Sequence, residues 1–163
     1  LSRFQELDEY IYETLLTITS SQNLCKYLKY ATDKETNPLS MSDLSEEERF
    51  SLIFDRIYPL PKLPDEKLVD AASYVTVYFD NIEKGGSQYF KNSVLVFNVI
   101  CHLEKWLMPS KLRPNQIMHE IDTLFNGKRD MGIGGMEFVR SNFIYVNKDF
   151  AGYSMRYRIV DFS

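Results

Sequence analysis

Residues 93–102 read SVLVFNVICH, and the reading of this stretch decides the fold. Alternate residues of an extended chain point to opposite faces, yet both alternating sets are largely apolar here. A strand of that kind belongs in the middle of a sheet, covered on both sides. On its N-terminal side, Val75, Val77 and Phe79 alternate with Tyr74, Thr76 and Tyr78, which predicts a strand over residues 74–82. Lys84-Gly85-Gly86-Ser87 supplies turn chemistry between the two. On its C-terminal side, Pro109 and Arg113-Pro114 introduce a helix carrying Ile117, Met118, Ile121, Leu124 and Phe125. Asn126-Gly127 ends that helix, as residues tolerant of the left-handed conformation do. Residues 128–135 (KRDMGIGG) read as a flexible loop, followed by strands over about 136–146 and 153–162 joined through residues 148–152. In the last strand Tyr153, Met155, Tyr157 and Ile159 share one face, and Arg156 and Arg158 lie on the other.

The first 70 residues carry a different pattern. Phe4, Leu7, Ile11, Leu15 and Ile18 recur at helical spacing, with Glu6, Asp8, Glu9 and Glu13 elsewhere, so a helix is predicted over about residues 3–18. Ser20-Ser21 break it, and Leu24, Tyr27, Leu28 and Ala31 predict a second, short helix. Residues 32–44 contain Pro38 and read as a loop. Ser45 and Glu48 form a capping box for a short helix carrying Phe50, Ile53, Phe54 and Ile57. Pro59, Pro61 and Pro64 then force an extended connector, because each fixes φ and lacks an amide hydrogen. Such a segment links two layers or lies along another subunit as an arm.

The predicted fold is α+β, a single domain over residues 1–163. A helical and Pro-rich region over 1–70 precedes a β-β-α-β-β core over 71–163, one sheet with helices packed mainly on one face. A chain of 163 residues buries a substantial core without staples. Eleven Tyr and eleven Phe favour sheets and interfaces. Cys25 and Cys101 sit far apart in apolar surroundings and read as buried, reduced thiols. No apolar run approaches the roughly 20 residues that span a bilayer. Leu1-Ser2-Arg3 opens an acidic amphipathic helix without the apolar core of a signal peptide, so a soluble, cytoplasmically made protein is expected.

Charge is unevenly spread. Residues 1–70 carry eight Lys/Arg against fourteen Asp/Glu, a net of −6, and residues 71–163 carry eleven against nine, a net of +2; the sum is −4. Bulk charge therefore does not grip nucleic acid, which needs clustered cations. Lys128-Arg129 and the pair Arg156 and Arg158 are the compact basic groups. They read as solvated charge, or as contacts to an acidic neighbour such as residues 43–48 (DLSEEE).

Motifs that carry chemistry are sparse. His102 and Glu104, or His119 and Asp122 one helical turn apart, are isolated pairs, whereas a zinc site needs three or four converging ligands. Residues 132–135 match a phosphate loop in glycine content alone, since a strand follows them and no Lys-Ser/Thr closes them. No serine elbow or Cys–His signature occurs. The sequence therefore predicts no catalytic residue, no cofactor and no metal, and a protein that is not an enzyme.

The ordered set over residues 71–163 resembles the tail-completion or tail-terminator proteins of tailed bacteriophages. The likeness rests on the strand ending Phe79-Asp80-Asn81, the strand 95–102, the helix from Arg113-Pro114 to Phe125-Asn126, and the closing stretch 157–162. It implies a structural virion protein at the head–tail junction, a tail terminator or neck protein assembled in the bacterial cytoplasm. Such a subunit forms a ring with copies of itself, a hexamer or a dodecamer. The ring caps the tail tube, meets the neighbouring neck or connector proteins, and lets DNA pass without sequence-specific binding or contact with a membrane. On that reading the arm 58–64, the loop 84–90 and the glycine loop 127–135 supply subunit contacts or line the lumen. Tyr58, Pro59, Pro61, Lys84, Lys128, Arg129, Arg156 and Arg158 are the candidate residues. Two alternatives stand beside it. One is a small phage-encoded nucleic-acid-processing enzyme with Asp80, Glu120 or Asp122 holding magnesium; the other is an adaptor binding a host protein through its aromatic sheet.

Overall fold

Helices lead the chain in the computed structural model, which describes residues 2–64, 71–128 and 134–161. Helix α1 spans Gln5–Ser20 and buries Leu7, Tyr10, Thr14, Leu15, Thr17 and Ile18. Leu7, Leu15 and Ile18 are buried as expected, but the inner face is shifted towards the threonines: Phe4 is exposed and Ile11 only half-buried. The threonines explain the shift. Thr14 Oγ1 donates to the Tyr10 carbonyl and Thr17 Oγ1 to the Glu13 carbonyl, each at 2.8 Å, so both hydroxyls are satisfied within the helix and can be buried. Ser21 then accepts the Leu24 amide hydrogen and caps α2, Gln22–Lys29.

Helix α3 is shorter than expected, Glu46–Phe50. Its capping box is formed in both directions between Ser45 and Glu48. The expected continuation through Ile57 is corrected by the structure. Phe54 adopts φ +67°, which no helix accommodates, and Ile57–Tyr58 form strand β1. Pro59 pushes the residue before it into extended geometry, and burying Ile57 beside the sheet outweighs extending a solvated helix.

Strand β1 pairs in parallel with β2, Ser73–Asn81, through Ile57↔Val75 and Tyr58↔Thr76. Strand β3, Val94–His102, follows; then β4 (Leu107–Met108) and β5 (Lys111–Leu112), a small ribbon that local patterning did not reveal. Helix α4 is Arg113–Phe125, and Gly127 beyond it takes φ +72°, the left-handed cap expected there. Strands β6, Gly135–Tyr145, and β7, Phe150–Asp161, close the chain, with β7 starting three residues earlier than predicted.

The five-stranded sheet has the order β1-β2-β3-β7-β6, antiparallel except at β1. Strand β3 is central and almost wholly buried, as its two apolar faces required. Val75, Val77, Leu95, Phe97, Val99, Met155, Tyr157 and Ile159 face the helices and join Ile18, Leu24, Tyr27, Ile117, Ile121 and Phe125 in the main core. The opposite face holds a smaller cluster of Ala72, Tyr74, Ile100 and Phe150, flanked by Tyr58, Ile144 and Val146. Among the described residues the helices thus pack on one face, with α1 beside the β1–β2 edge, where Tyr10 meets Phe79 with ring centroids 5.8 Å apart.

Both cysteines are buried and free. Burial pushes the Cys25 and Cys101 thiols up to about 12. The native protein is therefore expected to leave both unreacted with a thiol-exchange reagent at neutral pH, and to release both on unfolding. The folded values lie above the ordinary value of 9.0, so the stability held by the neutral thiols is complete below it and is lost as pH rises towards about 12. A denaturant midpoint that holds steady across that alkaline range would contradict this.

Candidate functional site

The structure places the sequence-predicted residues in separate regions. Tyr58 is half-buried in β1 against Tyr74, and Lys62 lies over its ring, 4.4 Å from the centroid. The proline arm turns inward on its own chain: Pro61 is exposed, Pro64 is buried, and Asn147 Nδ2 donates to the Pro64 carbonyl at 3.2 Å. Lys84 is exposed in the loop after β2, whose far end is clasped by the N-terminus, with Arg3 over Tyr89 and Phe4 against Phe90. Lys128 is exposed beyond α4; Arg129 and much of the glycine loop lie outside the described residues. Arg156 of β7 pairs with Asp80 of β2 across β3, and Arg158 pairs with Glu137 of the neighbouring β6, so both arginines are engaged within the chain.

Strand β6 is the outer strand of the sheet. At its start Gly127 donates its amide hydrogen to the Met136 carbonyl at 2.8 Å and Asn126 Oδ1 accepts from the Phe138 amide at 3.1 Å; beyond Phe138 the outer side of its backbone has no neighbour among the described residues. It presents Phe138 (42 % exposed), Val139 (51 %), Phe143 (58 %) and Tyr145 (66 %). Soluble proteins usually blunt such an edge with lysine, proline or brevity, yet β6 has eleven residues and neither residue type. Two irregularities, between Gly135 and Met136 and between Phe138 and Arg140, interrupt its register with β7. Arg140 is exposed and makes no ion pair among the described residues. Beside this edge a groove of about 250 Å³ opens between α4 and the sheet, lined by Asn115, Met118, His119, Asp122, Phe138, Ser141 and Met155. Its floor is apolar and its polar rim comes largely from one turn-spaced stripe of α4. Tyr157 donates its hydroxyl to Asp122 at 2.7 Å, and burial, reinforced by that carboxylate, raises the phenol.

The other end of the strand order carries a second concavity of about 340 Å³, lined by Asp8, Ile11, Tyr12, Leu15, Phe54 and Pro59. Tyr12 is 60 % and Phe54 65 % exposed. The groove exists because the threonines turn α1 and leave Ile11 at its mouth, and because Phe54 leaves the helical path. Asp8 stands in it, and Glu9 and Glu13 are exposed on the same helix. Pro59 is the sequence-predicted candidate that belongs to this groove.

The carboxylates considered for magnesium do not converge. Asp80 binds Arg156, Asp122 accepts from Tyr157, and Glu120 turns to the other side of α4, towards Asn23. His102 accepts the Glu104 amide hydrogen and packs edge-on to Phe150. Among the described residues no group of three or more His, Cys, Asp or Glu could hold a metal ion, and no helix is long and apolar enough to cross a membrane.

The fold and these surfaces define an α+β protein with helices on one sheet face and apolar surface at both ends of its strand order. The chain belongs to the YomW family, whose model matches residues 21–159. That name is of the kind given to phage genes and points to a phage-associated protein, but it assigns no head–tail role. No curated protein and no solved structure matches the chain.

Proposed function

We propose that this protein is a structural subunit of a tailed-phage virion, forming a ring at the head–tail junction as a tail terminator or neck protein. The observation that carries the reading is the long, aromatic outer strand β6, whose edge beyond Phe138 has no neighbour among the described residues and is suited to burial by another polypeptide. Membership of a family with a phage-type name supports it, as does the order of elements over residues 71–163. The ring caps the tail tube, contacts neck or connector proteins, and passes DNA through a lumen. A net charge of −4 disfavours adhesion of phosphates to the subunit.

Light scattering on the purified chain over a range of protein concentration and salt tests this. A discrete hexamer or dodecamer, visible as rings by negative-stain microscopy, is the expected result. A strict monomer at every concentration overturns the self-assembling ring and favours the host-binding adaptor.

A further inference from the structure

We infer that the two ends of the sheet are complementary halves of one heterologous contact, the β6 edge of one copy seating in the α1–β1 groove of the next. The inference rests on the ring reading and names the surfaces that would build it. Apolar side chains stand exposed at both ends, Phe138, Val139 and Phe143 on β6 and Tyr12 and Phe54 at the groove. Leaving both wet is costly, and one contact between the unlike ends covers them together.

Charge selects the partner. Arg140 is the cation of β6 and has no ion-pair partner among the described residues, with exposed Lys128 and Lys148 near the strand's two ends, whereas the groove holds Asp8 with Glu9 and Glu13 beside it. Unlike ends therefore attract, and the contact weakens with salt. A two-fold pairing of β6 with β6 is disfavoured by the same charges. Antiparallel pairing about the strand's middle would bring the two Arg140 side chains together, with Arg156 already opposite Arg140 on β7. The groove, at about 340 Å³, is at the lower end of ligand-sized cavities and takes an aromatic side chain such as Phe143. A contact between unlike patches repeats head to tail, and either closes into a ring or runs on as a filament.

Two variants and their mixture test the contact by sedimentation velocity. Phe143→Asp spoils the β6 end and Tyr12→Asp spoils the groove; both side chains are more than half exposed, so the core is untouched. Each variant alone is expected to fall from the wild-type assembly to monomer. Mixed, they are expected to form a one-to-one heterodimer and stop there, because one sound end of each kind remains; that product also shows that both have folded. A variant that keeps the wild-type assembly, or a mixture that stays monomeric, overturns the contact. A groove variant that forms a dimer through β6 alone overturns it in favour of two-fold pairing. If the wild type assembles and the variants change nothing, the contact fails while the ring reading stands; a wild type that never assembles removes both.

Discussion

Arg113→Met is expected to lower folding stability by about 3–5 kcal/mol, the scale on which a buried polar network with one member removed collapses. Arg113 has no exposed surface, although it opens α4, where the helix dipole disfavours a cation. Its compensation comes from another helix. Nη1 donates to the carbonyls of Tyr27 at 2.8 Å and Tyr30 at 3.0 Å, Nε to the Lys105 carbonyl at 2.8 Å, and Nη2 to Thr32 Oγ1 at 3.2 Å. Helix α2 ends at Lys29, so the Tyr27 carbonyl is one of the orphaned acceptors of its last turn. The guanidinium therefore caps α2, fixes the loop after it, and pins both to the start of α4. Methionine fills similar volume but leaves these acceptors dry. Arg113→Lys should recover little of the loss, because an ammonium on one stem cannot reach a fork of acceptors. Chemical denaturation with a midpoint within about 0.5 kcal/mol of wild type, the scatter of ordinary surface changes, would sink this account.

What was legible in the sequence follows the range of the interaction that encodes it. The central place of β3, the left-handed end of α4 at Gly127 and the split faces of β7 were readable because each is written in consecutive residues. Strand β1 was not, since two residues carry no period and their pairing depends on Val75 and Thr76, far along the chain. The face of α1 was legible at Leu7, Leu15 and Ile18, which are buried, but not at Thr14 and Thr17, which behave as core residues once their hydroxyls bond back to the helix. Arg113 read as a helix opener, and nothing local announced that α2 would need it.

The candidate surfaces divide in the same way. Pro59 was found from the proline pattern, but Arg156 and Arg158, visible as a basic pair, proved to be engaged by Asp80 and Glu137. Phe138, Phe143 and Tyr145 were plain strand aromatics in the sequence. Their exposure arises only because β6 falls at the end of the strand order, which is a fact of topology. The turn-spaced stripe Asn115, Met118, His119 and Asp122 was readable in principle as a second face of α4, opposite the one that carries Ile117 and Ile121 into the core.

Gly152→Ala is expected to cost at least about 3 kcal/mol, the upper range for a group forced into a packed interior. A Cβ built on Gly152 would lie 1.7 Å from the Val99 carbonyl oxygen and 2.8 Å from its carbon. Both obstacles are backbone of β3, the central strand, so no rotamer change can relieve the clash. Relief requires β7 to draw away from β3 near the Ile100↔Gly152 pair. That displacement breaks ladder hydrogen bonds in the middle of the sheet and loosens Ala151 and Phe150 beside them, both buried. Strand β6 pairs along its length with β7, and Asn126-Gly127 hold only its start, so the aromatic edge beyond Phe138 loses its platform at the same time. Assembly and stability should therefore fall together in Gly152→Ala, whereas Phe143→Asp should abolish assembly and keep the denaturation midpoint of a wild-type monomer. Measured side by side, the two variants separate the scaffold from the surface it presents. A Gly152→Ala protein within about 0.5 kcal/mol of wild type would mean that β3 and β7 do not approach as closely as this register requires.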